Sequence, residues 1–366
     1  MEITTSKIQV ELIKNSLQFH LFIPELFNPL ELWRQDFGFM PRSQSLARLA
    51  QRRQRKHLPV QGIERTLLYL LGVNSQVSLP WAQWRYAVHA SAMPTKRLPL
   101  LCADPVSLNA ELDRVTLAAQ KLQLNANEAE RLIEDLNAFL KQDGWALVAG
   151  SAEHWYLYSL DESLPKRLPK CTPLSEMGKS NIFNHLPQST DCYWQRLVQE
   201  LQMLLHNHAV NQRRAAAGHL QVNSLWFWGE DSDSLELSAP SQSAFDKTGN
   251  LNLPNSVMGG GINGQVCAQH AQAQWYDTID VTQARGVCWV IADDLREAAL
   301  LDQPQAWQAA LTRMEEKWLG EVLAAWEQGA SVYLYDMAGN AWTCLPRAWW
   351  QFWKRDVGAW LGYIRQ

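Results

Sequence analysis

The run His208-Ala209-Val210-Asn211-Gln212-Arg213-Arg214, closed by Gly218 and followed by Val222-Asn223-Ser224-Leu225-Trp226-Phe227-Trp228-Gly229, carries the chain from helix to strand. Ahead of it, Asp191 is placed to cap a helix in which Trp194, Leu197, Val198, Leu201, Leu204 and Leu205 share one face, because apolar residues three and four apart line one side of a helix. Beyond it, Val222 to Trp228 is an apolar strand that Gly229 ends. Further upstream, Asn125 and Glu128 have capping-box spacing, Ala129, Leu132, Ile133, Leu136 and Leu140 form a helical stripe, and Gly144 is the stop. Trp145 to Ala149 and His154 to Leu160 then read as a hairpin around Gly150 and Ser151, after which Pro165, Pro169 and Pro173 impose an extended connection.

The flanks alternate strands with helices. Leu17 to Ile23 reads as a strand entering a loop at Pro24-Glu25-Leu26, and Ser43 to Lys56 as a helix with Leu46, Leu49 and Ala50 inward. Thr66 to Leu71 is a short apolar run, and Pro94 to Pro99 is the first domain junction. Residues 230 to 264, rich in Ser, Asn, Pro and Gly, read as a lid, linker or disordered segment. Then come a strand at Val287 to Ala292, a helix lined by Trp307, Leu311, Met314, Trp318, Val322 and Trp326, a hairpin turning at Ala338-Gly339-Asn340, and a closing helix. This order predicts α/β layers with an α+β unit between them.

Composition narrows the function classes. At 366 residues the chain is long enough for two domains. With 47% hydrophobic and 19% charged residues, and no window near the roughly 18 apolar residues of a membrane span, it reads as soluble and globular. Met1 to Lys7 holds no basic region followed by an apolar stretch, so the expected location is the cytoplasm. The 33 basic and 37 acidic residues give a net charge of -4, which argues against nucleic acid as a partner. Six scattered cysteines without a C-x-x-C pair read as reduced and mostly buried, and 18 tryptophans, concentrated after residue 140, suit both cores and interfaces.

Each polar constellation admits two uses. His206 and His208, two apart, point to different helix faces and make a poor metal pair, since zinc needs three or four convergent ligands. Asn211 and Arg214 either grip a carboxylate or phosphate bidentately or cap backbone carbonyls and pair with Glu200. Asp104-Pro105-Val106 and Asp113-Arg114 put two carboxylates and a guanidinium about a turn, as an anion site or as an Asp turn and a surface pair. The basic run Arg42, Arg48, Arg52, Arg53, Arg55, Lys56 and His57 either meets a polyanion or forms a solvated helix face, and the acidic total elsewhere favours the second. Gly259-Gly260-Gly261 with Gly264 follows no predicted strand and lacks Gly-Lys-Ser/Thr, so it is not read as a phosphate loop.

With these residues in view, the segment from His208 to Gly229 resembles the end of the insertion domain in archaeal-type cofactor-independent phosphoglycerate mutases of the alkaline phosphatase superfamily. Asp104, Asp113-Arg114 and the helix from Glu128 to Leu140 resemble that domain's opening in order and spacing. Ala103-Asp104-Pro105-Val106, Gln202-Met203-Leu204-Leu205-His206 and Trp226-x-Trp228-Gly229 resemble a bacterial branch often labelled phosphoglycerate mutase or regulatory protein of the pathogenicity-factor cluster type. The likeness runs over residues 98 to 230. It implies a degenerate alkaline-phosphatase-like α/β core, residues 1-97 and 265-366, with an inserted α+β domain at 98-229 and a loop or lid at 230-264.

Family chemistry uses a serine or threonine nucleophile activated by two divalent metals. It needs Asp-Gly after the first strand and Asp/His ligands late in the chain. Here Pro24-Glu25-Leu26 stands at the first place, and the region after residue 265 has one histidine, His270, and no D-x-x-x-H or H-G-D-H pattern. Asp293-Asp294 and Asp336 are too few for a two-metal site, and Ser43 or Ser45 stands nearest the nucleophile position. The expectation is therefore a non-catalytic, phosphoglycerate-mutase-like protein with no cofactor. Asn211, Arg214 and Arg114, with Asp104, His208 and Asn223 around them, would hold a small phosphate or carboxylate ligand. A protein partner would meet the Trp-rich C-terminal half in a regulatory role, with neither nucleic acid nor membrane as partner. The alternatives are an active metal-dependent mutase or phosphatase, and a purely structural interaction protein.

Overall fold

The structure is a computed structural model and describes residues 17-50, 53-73, 80-89, 101-160, 168-169, 171-178, 180-186, 192-229 and 253-344. The chain begins with β1 (Gln18–Phe22), α1 (Leu30–Phe37), α2 (Gln44–Leu49), β2 (Arg53–His57) and α3 (Ile63–Leu70). It continues through α4 (Trp81–His89), β3 (Leu101–Val106), β4 (Leu108–Ala110), β5 (Val115–Leu117), α5 (Ala126–Leu140), β6 (Trp145–Ala149), β7 (Trp155–Ser159), α6 (Tyr193–His206), α7 (Ala209–Ala216) and β8 (Ser224–Trp228). The last stretch holds β9 (Ser256–Gly259), α8 (Gly261–Ala271), β10 (Gln274–Tyr276), β11 (Val287–Ile291), α9 (Arg296–Leu300), α10 (Pro304–Met314), α11 (Gly320–Glu327), β12 (Ser331–Tyr335) and β13 (Asn340–Cys344). Two compact units result, one of Met1–Asn74 with Ala239–Gln366, the other of Ser75–Ser238.

The first unit is built on a seven-stranded sheet in the order β10-β9-β11-β1-β12-β13-β2. β10, β9, β11, β1 and β12 run parallel, and β13 and β2 close one edge antiparallel. β1 sits centrally because its side chains are apolar enough for burial on both faces. Phe19 and Leu21 join Val290, Val332 and Leu334 against Trp33, Trp307, Trp318 and Trp326 on the helical layer. Trp289, Trp307, Trp318, Trp326 and Trp342 are at most 3% exposed, so these C-terminal tryptophans spend their area on the core rather than on an outer face. Between α10 and α11 the chain makes one π-helical turn, Glu315–Leu319.

Inside the second unit, an antiparallel sheet ordered β6-β7-β3-β8 lies beside the β4-β5 ribbon. α5 forms where the capping box and stripe put it: Asn125 and Glu128 exchange both bonds, and Ala129, Leu132, Ile133, Leu136 and Leu140 are buried. Such caps are typically worth about 1 kcal/mol. Gly144 follows at φ 77, a left-handed backbone that glycine adopts without cost, and turns the chain into β6. The fold class is thus α/β with an α+β insertion, as expected.

Several local expectations are corrected. The helix over Ser43 to Lys56 stops at Leu49, and Arg53–His57 forms the edge strand β2 against β13, so Arg53, Arg55, Lys56 and His57 guard a sheet edge rather than coat a helix, while Arg48 stays on α2. The segment 230 to 264 holds the core strand β9 and the start of α8, and Gly259-Gly260-Gly261 therefore does follow a strand. Packing accounts for its glycines, since a Cβ on Gly264 would lie 2.1 Å from the Gly259 carbonyl oxygen and one on Gly259 2.5 Å from that of Ile291. The inserted unit starts earlier than residue 98 because α4 belongs to it. Cys192 rather than Asp191 occupies the N-cap of α6, with no side-chain bond, and Leu204 is 43% exposed. Asp191, the junction at Pro94 to Pro99 and the closing helix lie outside the described residues.

Candidate functional site

β3 is buried along its whole length, and β7 pairs with it only at Leu101 and Cys102. Asp104 lies where that pairing has ended, and its carboxylate takes over by accepting the Trp155 backbone N–H at 3.3 Å. Pro105, which has no N–H to give, is tolerated there for the same reason. Arg85 on α4 meets Asp104 as a two-pronged pair at 2.8 and 2.7 Å and also donates to the Trp155 carbonyl. Trp228 adds its indole N–H to Asp104 at 2.8 Å. The guanidinium lies 4.9 Å from the Tyr156 ring centroid and 5.4 Å from that of Trp228. Burial opposes the Arg85 charge, but Asp104, through charge and hydrogen bonds and with help from Cys102 and Tyr156, outweighs it, and the pKa rises.

Two histidines border this pair. His89, one turn beyond Arg85 on α4, bonds the Tyr156 hydroxyl at 2.8 Å and stacks on His154 at 5.9 Å. His154 in turn bonds the Ser151 hydroxyl at 2.8 Å. Burial, seconded by the nearby Arg85 charge, lowers both pKa values, that of His154 to about 4. The dominant polar cluster of the second unit is therefore Arg85, Asp104, His89, His154, Tyr156 and Ser151. Of these only Asp104 was singled out from sequence, although Arg85 and His89 at i and i+4 beside buried Trp81 were a legible signal.

The six residues expected to hold an anion sit as follows. Asn211 donates to the Leu205 and Val222 carbonyls, each at 2.7 Å, and accepts the Val222 N–H at 2.9 Å, so it ties the end of α6 to the approach of β8. Arg214, 2% exposed, donates to the Leu220 carbonyl, to Glu128 and to the Leu122 carbonyl. His208 caps α7 and bonds Asp135 at 2.8 Å. Asn223 brackets the backbone of Leu108, accepting its N–H at 2.7 Å and donating to its carbonyl at 2.8 Å. Arg114 is exposed on the β4-β5 ribbon and pairs with Glu111 at 2.6 Å. Asp104 serves Arg85. No side-chain hydrogen bond joins any of the six to another, and Glu200 is not the partner of Arg214.

In the first unit, Ser43 and Ser45 both donate their hydroxyls to Glu315, Ser43 while capping α2. Asp336 spends one oxygen on the Ala338 and Asn340 N–H groups and the other on the Asn340 amide. Among the described residues no three His, Cys, Asp or Glu side chains converge in a way that could hold a metal ion. At Ser43 and Ser45 the carboxylate among the described residues is Glu315, which does not by itself make the cluster of carboxylates and histidines that a two-metal centre needs. No helix among the described residues is long and apolar enough to cross a membrane.

These features define a two-unit α/β protein whose inserted α+β unit is knit by buried polar ties. No family model matches the chain. The 2,3-bisphosphoglycerate-independent phosphoglycerate mutase of Methanosarcina barkeri is 28% identical over 156 residues, 41% of this chain and 38% of that protein. Its namesake in Methanosarcina acetivorans is 26% identical over 138 residues, 36% of this chain and 34% of that protein. The matches thus span well under half the length of these curated relatives. Among solved structures, a cofactor-independent phosphoglycerate mutase from Thermoplasma acidophilum aligns over 89% of each chain at 13% identity with a TM-score of 0.39. A Pyrococcus horikoshii protein aligns over 90% of this chain and 87% of that one at 10% identity with a TM-score of 0.47. The chain is phosphoglycerate-mutase-like, as the residues around His208 to Gly229 implied.

Proposed function

We propose that this phosphoglycerate-mutase-like chain acts by binding a protein partner in a regulatory role, without turning over a phosphate ester. The observation that carries the reading is the internal use of Arg214 and Asn211. A guanidinium that is 2% exposed and already donates to two carbonyls and a carboxylate would have to break those bonds to take up an anion. Breaking them leaves buried polar groups unsatisfied, at roughly 1 to 3 kcal/mol for each. The donor set around Ser43 and Ser45 supports the same reading.

The names of the relatives favour a second reading, a phosphoglycerate mutase, which by the resemblance would depend on metal. Thermal unfolding with Mn2+, Mg2+ or Zn2+ and with 3-phosphoglycerate, singly and together, separates the two, because anything that binds the native state raises its melting temperature. The expected result is no shift from any combination. Stabilisation by metal and 3-phosphoglycerate together, with turnover, would make the chain an enzyme. Stabilisation by 3-phosphoglycerate alone would restore a small-anion site.

A further inference from the structure

β6 is an outer strand of the second unit's sheet, and α5 leans over its open side. Alternation along an antiparallel pair turns every second peptide group away from the neighbouring strand. Gly150 bonds the His154 carbonyl, so the even residues face β7 and the N–H and C=O groups of Leu147 and Ala149 face outward. Those of Leu147 are covered, since Asn137 on α5 donates its amide to the carbonyl at 2.9 Å and accepts the N–H at 2.7 Å, copying one rung of a fifth strand. The next rung, at Ala149, opens into a groove of about 740 Å3 between the first half of α5 and the Gly150-Ser151-Ala152 turn. Small residues make the room: Ala126, Ala129, Ala149, Gly150 and Ala152 all line it. Among the described residues, the charged side chains in its wall are Glu130 and Glu134, and neither Lys nor Arg lines it.

We propose that this groove is the partner site, and that it takes an extended, lysine- or arginine-bearing segment of another protein, which adds to β6 at Ala149 and sets its cation against Glu130 and Glu134. The inference rests on the partner-binding function proposed above and names its surface. An unpaired strand edge supplies backbone affinity whatever the sequence of the incoming segment, while the two carboxylates select its charge.

The test uses the full chain and two labelled probes, a hexapeptide alternating Val and Lys and its counterpart alternating Val and Glu. Fluorescence anisotropy reads binding, and hydrogen exchange reads where it occurs. The Val-Lys probe is expected to bind and to slow exchange at 147 to 152, and the Val-Glu probe is expected not to bind. The Glu130→Lys, Glu134→Lys double variant, altered only at exposed positions, should weaken binding by about tenfold or more at unchanged melting temperature. Ala126→Trp should weaken it by filling the groove without touching charge. Absence of Val-Lys binding at low millimolar concentration, equal binding of both probes, or indifference to both variants would overturn the proposal. None of these results bears on the thermal-shift comparison with 3-phosphoglycerate, so the groove and the non-enzymatic reading stand or fall separately.

Discussion

One carboxylate oxygen of Glu128 receives two donors that lie far apart in sequence: the Arg214 guanidinium at 2.7 Å and the backbone N–H of Asn125 at 3.1 Å. The capping box that starts α5 is thereby also the anchor of α7, and the residue that most resembles an anion ligand works as an internal strut.

Arg214→Ala should therefore cost stability, on the order of 3 kcal/mol, because it strips a buried partner from Glu128 and from two carbonyls. Urea unfolding measures it. If the alanine variant does not fold, Arg214→Lys, which keeps the charge and loses the planar fork, should show a smaller loss. A variant as stable as the parent would mean that the strut carries nothing.

The Arg85 and Asp104 pair makes a sharper prediction. Asp104→Asn leaves a nearly inaccessible guanidinium without its counter-charge and should cost roughly 3 to 5 kcal/mol. Removing both charges, as Arg85→Met with Asp104→Asn, should be milder than Asp104→Asn alone, since no isolated charge remains and the amide oxygen can still accept from Trp155 and Trp228. A double-mutant cycle that returns strict additivity would contradict this coupling.

Acid should destabilise the fold through its histidines. His20, on the central strand with Nδ1 2.8 Å from the Tyr335 hydroxyl, has its pKa pulled by burial from 6.5 down to about 3, and His154 falls to about 4. Both folded values lie below those of the unfolded chain, so below pH 6.5 the unfolded state takes up protons that the folded state refuses. Above that pH the two groups contribute nothing to the pH dependence. As pH falls from 6.5 towards 4, each should remove up to about 1.4 kcal/mol per pH unit. Melting temperature measured across that window should drop, and His20→Gln should flatten the slope. A profile identical in parent and variant would be evidence that His20 does not titrate differently on folding.

Legibility in the sequence followed the range of the signals. α5 was readable because its cap, stripe and stop lie within twenty residues of one another. β9 was hidden because Ser256–Gly259 is only four residues long and ends in glycines that read as loop. β2 was hidden because Arg53–His57 is wholly polar, as an edge that must resist pairing tends to be. The role of Arg214 could not be settled from spacing, since its partners Leu122 and Glu128 stand 92 and 86 residues away. The resemblance named the polar residues of the stretch from 98 to 230, but whether a polar atom faces inward or outward is decided only when distant segments meet.

The π-helical turn at Glu315–Leu319 has a numerical reason. Trp307 and Trp326 are 19 positions apart, and both belong with Leu311, Met314, Trp318 and Val322 to one buried face. Five turns of α-helix consume about 18 residues, so a regular helix would swing the last tryptophan by roughly 100° out of line. The wide turn absorbs the surplus residue and restores the phase. Deleting one residue there would let the backbone relax into an unbroken helix. Inserting or deleting a residue anywhere else between Trp307 and Trp326 would rotate half of the tryptophan row towards water.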